Sequence, residues 1–156
     1  MPFQIKALPP EPFQHLFALD EKALQETRAR RVTVKAKPDV PCRISLQDAD
    51  IGEAVILVNY RHQASDTPYR AEHAIYVRQN VQEAQLACGQ VPRLFHHRLM
   101  SLRGFDANHM MEEVNAVMGI DLADAIAAMF DNNTIAYIHL HYAKPGCFAA
   151  SAMRAG

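Results

Sequence analysis

The stretch from Glu53 to Arg61 constrains the fold more than any other part of the chain. It reads Glu-Ala-Val-Ile-Leu-Val-Asn-Tyr-Arg, and its middle is apolar at consecutive positions rather than at alternate ones. Because the side chains of a strand alternate between the two faces of a sheet, such a run predicts a strand that is covered on both faces. We expect this strand to pair with its neighbours in an antiparallel sheet.

Other segments complete the predicted architecture. Strands are predicted over residues 3–8, 32–36, 42–46, 74–78 and 94–105, and again around His139. Apolar residues at helical spacing predict two consecutive helices, one beginning at Asp106 and one at Asp121. Their apolar faces would be Met110, Met111, Val114, Val117 and Met118 in the first, and Leu122, Ala125, Ile126, Met129 and Phe130 in the second. We therefore expect a single α+β domain over residues 1–156, with a mostly antiparallel sheet and both helices of the C-terminal half packed on one face.

The residues between two of these strands have turn chemistry. Residues 47–52 read Gln-Asp-Ala-Asp-Ile-Gly and separate the predicted strand 42–46 from the strand beginning at Glu53. A short turn joins strands that are adjacent in a sheet, so we expect these two strands to be neighbours. Arg43 would then lie close to Tyr60 or His62.

The overall charge excludes several partner classes. The chain has sixteen Lys and Arg residues and seventeen Asp and Glu residues, so its formal charge is -1. A nearly neutral chain lacks the positive field of a nucleic-acid or anionic-membrane binder. No apolar run has the length of a membrane span, the first residues lack a signal-peptide pattern, and three unevenly spaced cysteines fit reduced thiols. We expect a cytoplasmic protein with no nucleic-acid or membrane partner, for which homo-oligomerisation stays open.

Residues 136–147 contain the densest chemistry in the chain. They read Ala-Tyr-Ile-His-Leu-His-Tyr-Ala-Lys-Pro-Gly-Cys, which predicts a strand with His139 and His141 on one face and an apolar row on the other. A reversal at Pro145-Gly146 would fold the next strand back, and we expect His139 and Cys147 to share one polar cavity. The imidazoles serve there as ligands or proton relays, or else they are satisfied by carbonyls in a packed interior.

Two chemical roles are considered for this segment, namely metal binding by the histidines and nucleophilic catalysis by Cys147. A His-x-His pair supplies two of the three or four ligands that a metal needs, and no glutamate follows the pair, so we predict no metal and no cofactor. Cys147 follows a turn whose amides can face an anion, and His139 or His141 is a suitable partner for its thiol, with His139 as the candidate catalytic residue. Alternatively, Cys147 has no chemical role and packs in the interior as a small apolar side chain.

Arginines on or beside the predicted strands indicate the class of ligand. If several converge with the two histidines, they form a pocket for a carboxylate or phosphate. Each arginine is alternatively paired with a local acid such as Asp48 or Glu53. The arginines concerned are Arg43, Arg61, Arg70, Arg78, Arg98 and Arg103.

Several motifs together resemble a known bacterial family. The chain resembles the family called domain of unknown function 1203 over residues 3–154. The resemblance implies a small bacterial protein with no established activity, cofactor or catalytic residue. It rests on Pro41-Cys42-Arg43, Ser45-Leu46, Asp48-Ala49, Gly52-Glu53, Tyr60, Pro68-Tyr69-Arg70, Ala136-Tyr137, His139 and Gly146-Cys147.

The favoured hypothesis is the binding of a small anionic metabolite. Cys147 and His139 are the candidate catalytic residues. The candidate ligand-binding residues are Arg43, Arg70, His141, Tyr69 and Glu53. Two alternatives stay open: an enzyme that uses Cys147 or a histidine-bound metal, and a ligand-free interaction or stress protein.

Overall fold

The computed structural model describes residues 1–156, and eight strands form two sheets. The strands are β1 Phe3–Lys6, β2 Ala29–Thr33, β3 Ala54–Gln63, β4 Ala71–Arg78, β5 Leu99–Phe105, β6 Met111–Met118, β7 Tyr137–Tyr142 and β8 Phe148–Arg154. The α-helices are α1 Glu21–Glu26 and α2 Leu122–Phe130, and short 3-10 helices occupy Glu11–Ala18, Arg93–Phe95 and Gly119–Asp121. Every pair of strands is antiparallel, which confirms the predicted α+β class.

The larger sheet has the strand order β1-β8-β7-β5-β6, and α2 covers one of its faces. The helix contributes four buried residues to a core that it shares with β1, β5, β7 and β8: Leu122, Ile126, Met129 and Phe130. Of the row predicted for β7, Ile138 and Leu140 belong to this core, as the alternation of a strand requires.

The smaller sheet has the order β2-β3-β4 and a core of its own. The predicted central strand is β3, which pairs with a neighbour on each side. Val55 and Ile56 point to opposite faces, yet both are fully buried, in two different apolar clusters. Phe148 of β8 belongs to the same cluster as Ile56, so it links the two sheets.

The helix predicted after Asp106 is wrong, because that segment is strand β6. The carboxylate of Asp106 accepts hydrogen bonds from the backbone N–H groups of Asn108 and Met110, at 2.8 and 2.9 Å. These bonds close a tight turn rather than begin a helix, and β6 then pairs with β5 along its length. Of the two helices expected in the C-terminal half, only α2 exists.

The segment 42–46 is also not a strand. It is a turn in which the N–H of Leu46 donates to the carbonyl of Cys42, and it touches β4 through a bridge between Cys42 and Tyr76. The expected pairing with the strand at Glu53 is therefore wrong, since the neighbour is β4.

The predicted strand at 94–105 begins only at Leu99. None of the helices has the length and apolar character needed to cross a membrane.

Candidate functional site

A tight hairpin between β7 and β8 positions the candidate residues. Gly146, at φ +85°, adopts the left-handed conformation that this reversal needs, and its N–H donates to the carbonyl of Tyr142 at 2.8 Å. The N–H of Tyr142 in turn donates to the carbonyl of Cys147 at 2.9 Å. The sequence prediction that the chain reverses at Pro145-Gly146 is thus confirmed.

The hairpin separates His139 from Cys147. His139 and His141 lie on the face that meets His62 and Phe148, whereas Cys147 belongs to the apolar cluster on the other face, with Tyr142. Cys147 lines a cavity to which neither His139 nor His141 contributes. The expectation that His139 and Cys147 share one cavity is therefore wrong.

This cavity, the Arg43 cavity, has a volume of about 550 Å³. It opens between the β7–β8 turn, the segment that precedes Arg43, and the adjoining ends of β5 and β6. Its walls are formed by Pro38, Asp39, Pro41, Arg43, Tyr76, His97, Arg98, Leu99, Met118, Tyr142, Lys144, Pro145 and Cys147.

Arg43 is the most unusual residue of the cavity wall. It is only 1 % exposed, yet no carboxylate lies within 4 Å of its guanidinium group. Its Nε donates to the carbonyl of Phe148 at 2.8 Å and its Nη1 to the carbonyl of Pro41 at 2.5 Å. Its Nη2 donates to Sγ of Cys147 at 2.9 Å. The positive charge is thus buried among uncharged acceptors and a sulfur.

Tyr142 is a second unusual residue of the same wall. Its ring lies beneath two guanidinium groups, with the Cζ atoms of Arg43 and Arg98 at 4.9 and 5.5 Å from the ring centroid. The residue is 4 % exposed, and its hydroxyl is buried without a hydrogen-bond partner. Burial raises the pKa of Tyr142 well above its ordinary value, so the hydroxyl keeps its proton and can donate it to an acceptor.

The other charged residues leave the cavity positive. Arg98 is neutralised by Asp48, with Nη2 and Oδ1 at 2.7 Å. Lys144 is exposed at the rim and has no carboxylate within 4 Å, while Asp39 is the single acid on the wall. Arg43 and Lys144 therefore outnumber the acids that remain to balance them.

The two predicted histidines join a third one between the sheets. The ring centroid of His62, on β3, lies 4.8 Å from that of His141 and 6.1 Å from that of His139. Nδ1 of His141 lies 3.0 Å from the carbonyl of Gly146, and one nitrogen of each of the three rings is buried without a partner.

Burial keeps these three imidazoles neutral. Desolvation lowers the pKa of His62 and that of His139 to about 4 and that of His141 to about 3, with smaller contributions from the charge of Arg103 and from neighbouring imidazoles. No group of three His, Cys, Asp or Glu side chains is arranged to hold a metal ion. Both predicted histidines are buried as the alternative interpretation required, but only His141 has a carbonyl as hydrogen-bond partner.

The remaining predicted ligand residues lie outside the Arg43 cavity. Arg70 is exposed and donates from Nη1 to the carbonyl of Ala64. Tyr69 is half-buried against Phe105, with ring centroids 6.1 Å apart. Glu53 accepts from Nε of Arg78 at 2.6 Å, and this contact lowers the pKa of the Glu53 carboxyl.

Several cavity residues were not predicted as site residues. Tyr142 belonged to the row assigned to the apolar face of β7, and its sequence position gives no sign that its hydroxyl lacks a partner. Lys144 follows the strand directly and precedes the Pro145-Gly146 turn. A cation within a tight turn beside Cys147 was a signal that could have placed Lys144 in the site.

The comparisons with known proteins agree with the resemblance noted in the sequence. A family model described as a protein of unknown function, DUF1203, matches residues 39–154. The chain belongs to the DUF1203 family. Apart from Pro38, every residue that lines the Arg43 cavity lies within the matched part of this DUF1203 protein. Neither a curated protein nor a solved structure matches the chain.

Proposed function

We propose that this DUF1203 protein binds a small anionic metabolite in the Arg43 cavity. The observation that carries the proposal is the guanidinium of Arg43, which is buried in the cavity wall with no carboxylate within 4 Å. Removing a charge from water costs several kcal/mol unless a partner of opposite charge compensates it. A carboxylate or phosphate in the cavity supplies that partner.

The free hydrogen-bond donors set the character of the ligand. A guanidinium group has five N–H bonds, and three atoms of Arg43 each use one, so two N–H bonds remain. The unpartnered hydroxyl of Tyr142 adds a third donor and the ammonium of Lys144 adds charge at the rim. Donors of these kinds fit an anionic group with two or three oxygens, such as a carboxylate or a phosphate.

The rest of the cavity favours an organic anion over an inorganic one. Its volume of about 550 Å³ exceeds what a single phosphate fills, and it falls in the range of small-molecule sites. Leu99, Met118 and Tyr76 give it an apolar side. We therefore expect a ligand with an anionic group at Arg43 and a carbon skeleton against these side chains.

Isothermal titration calorimetry at low ionic strength tests the proposal, with succinate and inorganic phosphate as probes. We expect saturable binding by the wild-type protein. Arg43→Gln should weaken it by about tenfold to a hundredfold, since a hydrogen bond to a charged group contributes about 1.5–3 kcal/mol. Arg70→Gln, which removes an exposed arginine outside the cavity, is the matched control and should bind as the wild type does.

Loss of the buried Arg43 can also unfold the protein, so circular dichroism must accompany that variant. Lys144→Gln changes an exposed residue of the rim and should weaken binding by a smaller factor without affecting the fold. An absence of saturable binding by the wild type, or equal weakening by Arg70→Gln and Lys144→Gln, contradicts the proposal.

A further inference from the structure

We infer that Cys147 is a nucleophile that attacks small anionic electrophiles held in the Arg43 cavity. The inference rests on the proposed function, which it extends from binding to a covalent step. It also narrows the ligand class, to carboxylates or phosphates that carry a reactive carbon close to the anionic group.

The position of the sulfur is the first observation. Sγ of Cys147 accepts a hydrogen bond from Nη2 of Arg43 at 2.9 Å, and the side chain lines the cavity although it is only 7 % exposed. This hydrogen bond places the sulfur beside the positive charge of the guanidinium, and the thiolate is the reactive form of cysteine. An anion that binds to the two free N–H bonds of Arg43 therefore lies next to the sulfur.

A second observation, independent of the sulfur, indicates a ligand at the same place. Tyr142 lines the cavity and is 4 % exposed, and its hydroxyl is buried without a hydrogen-bond partner. A buried hydroxyl that lacks an acceptor costs free energy, and an oxygen of a bound anion removes that cost. Tyr142 and Arg43 are thus positioned to hold an electrophile while Cys147 reacts with it.

The other two cysteines lack this environment. Cys42 is fully buried, and its Sγ accepts weak hydrogen bonds at 3.4–3.5 Å from the backbone N–H groups of Ile44, Ser45 and Arg78. Cys88 is exposed and lies outside the cavity. The chain therefore contains one buried and one exposed thiol against which Cys147 can be compared.

The covalent step is a substitution at carbon. Sγ of Cys147 forms a bond to the electrophilic carbon of the bound anion, and the bond from that carbon to its leaving group breaks. The leaving group departs with the electron pair, and the thiol proton passes to the solvent. The product is a thioether whose anionic group remains beside Arg43, and no oxidant or cofactor takes part.

Two reagents of nearly equal size separate charge recognition from simple accessibility. Iodoacetate and iodoacetamide transfer a two-carbon group to sulfur with loss of iodide, but only iodoacetate is an anion. Labelling rates at each cysteine of the folded wild-type protein are followed by peptide mass spectrometry, and the iodoacetate-to-iodoacetamide rate ratio is calculated for each one. We expect the ratio at Cys147 to exceed the ratio at Cys88 by at least about tenfold, the scale on which a focused positive field raises the association rate of an anion.

Three further measurements sharpen the test. Inorganic phosphate should slow iodoacetate labelling of Cys147 and leave Cys88 unaffected. Arg43→Gln should abolish the preference for iodoacetate, and Lys144→Gln, an exposed substitution, should reduce it by a smaller factor. Arg70→Gln serves as the matched control and should keep the full preference.

The outcomes distinguish this inference from the proposed function. If phosphate binds by calorimetry but Cys147 is not labelled, or shows the same ratio as Cys88, the nucleophile is overturned and anion binding stands. If phosphate and succinate do not bind and the ratios are equal, both are overturned. A preference that survives Arg43→Gln and Lys144→Gln also overturns the inference.

Discussion

The guanidinium of Arg43 is almost wholly out of solvent, and the two residues on each side of it in the sequence include no acid. The sequence nominated Arg43 as a ligand residue because it lies on a predicted strand, although residues 42–46 form a turn. Tyr142 could not be found in the same way, because its ring fits the apolar row of β7. Whether a buried hydroxyl has a partner depends on side chains that are distant in sequence, here those around Arg98 and Asp48.

Gly119 is a residue whose role appears only in three dimensions. A Cβ atom at this position would lie 1.6 Å from the carbonyl oxygen of Phe95 and 2.3 Å from its carbon. Both contacts are to backbone, so no side-chain rotation relieves them. We expect Gly119→Ala to lower the free energy of unfolding by at least about 2 kcal/mol, as overpacking of an interior does.

Urea denaturation measures this effect, and two other glycines provide controls. Gly52 has open space around its Cα but a φ of +88°, so Gly52→Ala should cost about 1–2 kcal/mol from backbone strain alone. Gly156→Ala, at an unstrained and open position, should have no effect. A loss for Gly119→Ala no greater than that for Gly52→Ala would show that residues 95 and 119 do not approach so closely.

At the scale of elements, strand β3 was easier to predict from the sequence than strand β6. Strand β3 has an apolar run that only a doubly covered strand explains. Strand β6 is an edge strand with five consecutive exposed residues, so burial gives it no alternating pattern. Its methionines and valines therefore match helical spacing equally well, and the pairing with β5 that decides the matter is not visible in the sequence.

The turn before β6 tests this explanation. The carboxylate of Asp106 accepts the N–H groups of Asn108 and Met110, and these hydrogen bonds lower the pKa of its carboxyl. Asp106→Ala leaves both donors without this acceptor, so we expect a lower urea midpoint. Asp106→Asn keeps a side-chain oxygen and should retain most of the stability. Equal midpoints for the wild type and Asp106→Ala would show that the turn does not depend on the side chain.

At the scale of the whole molecule, the sequence suggested that His139 and Cys147 share one pocket, whereas the structure places them on opposite faces of the larger sheet. The alternation in β7 correctly placed His139 and His141 on a common face. It could not indicate that the second sheet, through His62, covers this face, or that Cys147 turns to the other one. The relative position of sheets depends on contacts between residues far apart in sequence, such as Phe148 with the core around Ile56.

The histidines between the sheets should make the stability of the whole fold depend on pH. In the folded protein the pKa values are about 4 for His62 and His139 and about 3 for His141. In the unfolded chain each imidazole takes a proton near pH 6.5. As the pH falls below 6.5, the unfolded state therefore binds more protons than the folded state, and the free energy of unfolding decreases until the pH reaches the folded pKa values.

Each unit of difference between the folded and unfolded pKa values corresponds to about 1.4 kcal/mol in the free energy of unfolding. His62 is only half-buried, so its contribution to this free energy is smaller than its pKa suggests, because solvent screens the charge. Urea unfolding at intervals from pH 7.5 to pH 5 should show stability that is constant above about pH 7 and then falls. His139→Gln should reduce the slope, because one fewer group takes up a proton on unfolding. An NMR titration in which the Cε1 protons of His139 and His141 shift near pH 6.5 would contradict the burial of neutral imidazoles between the sheets, and so would a stability that stays constant down to pH 5.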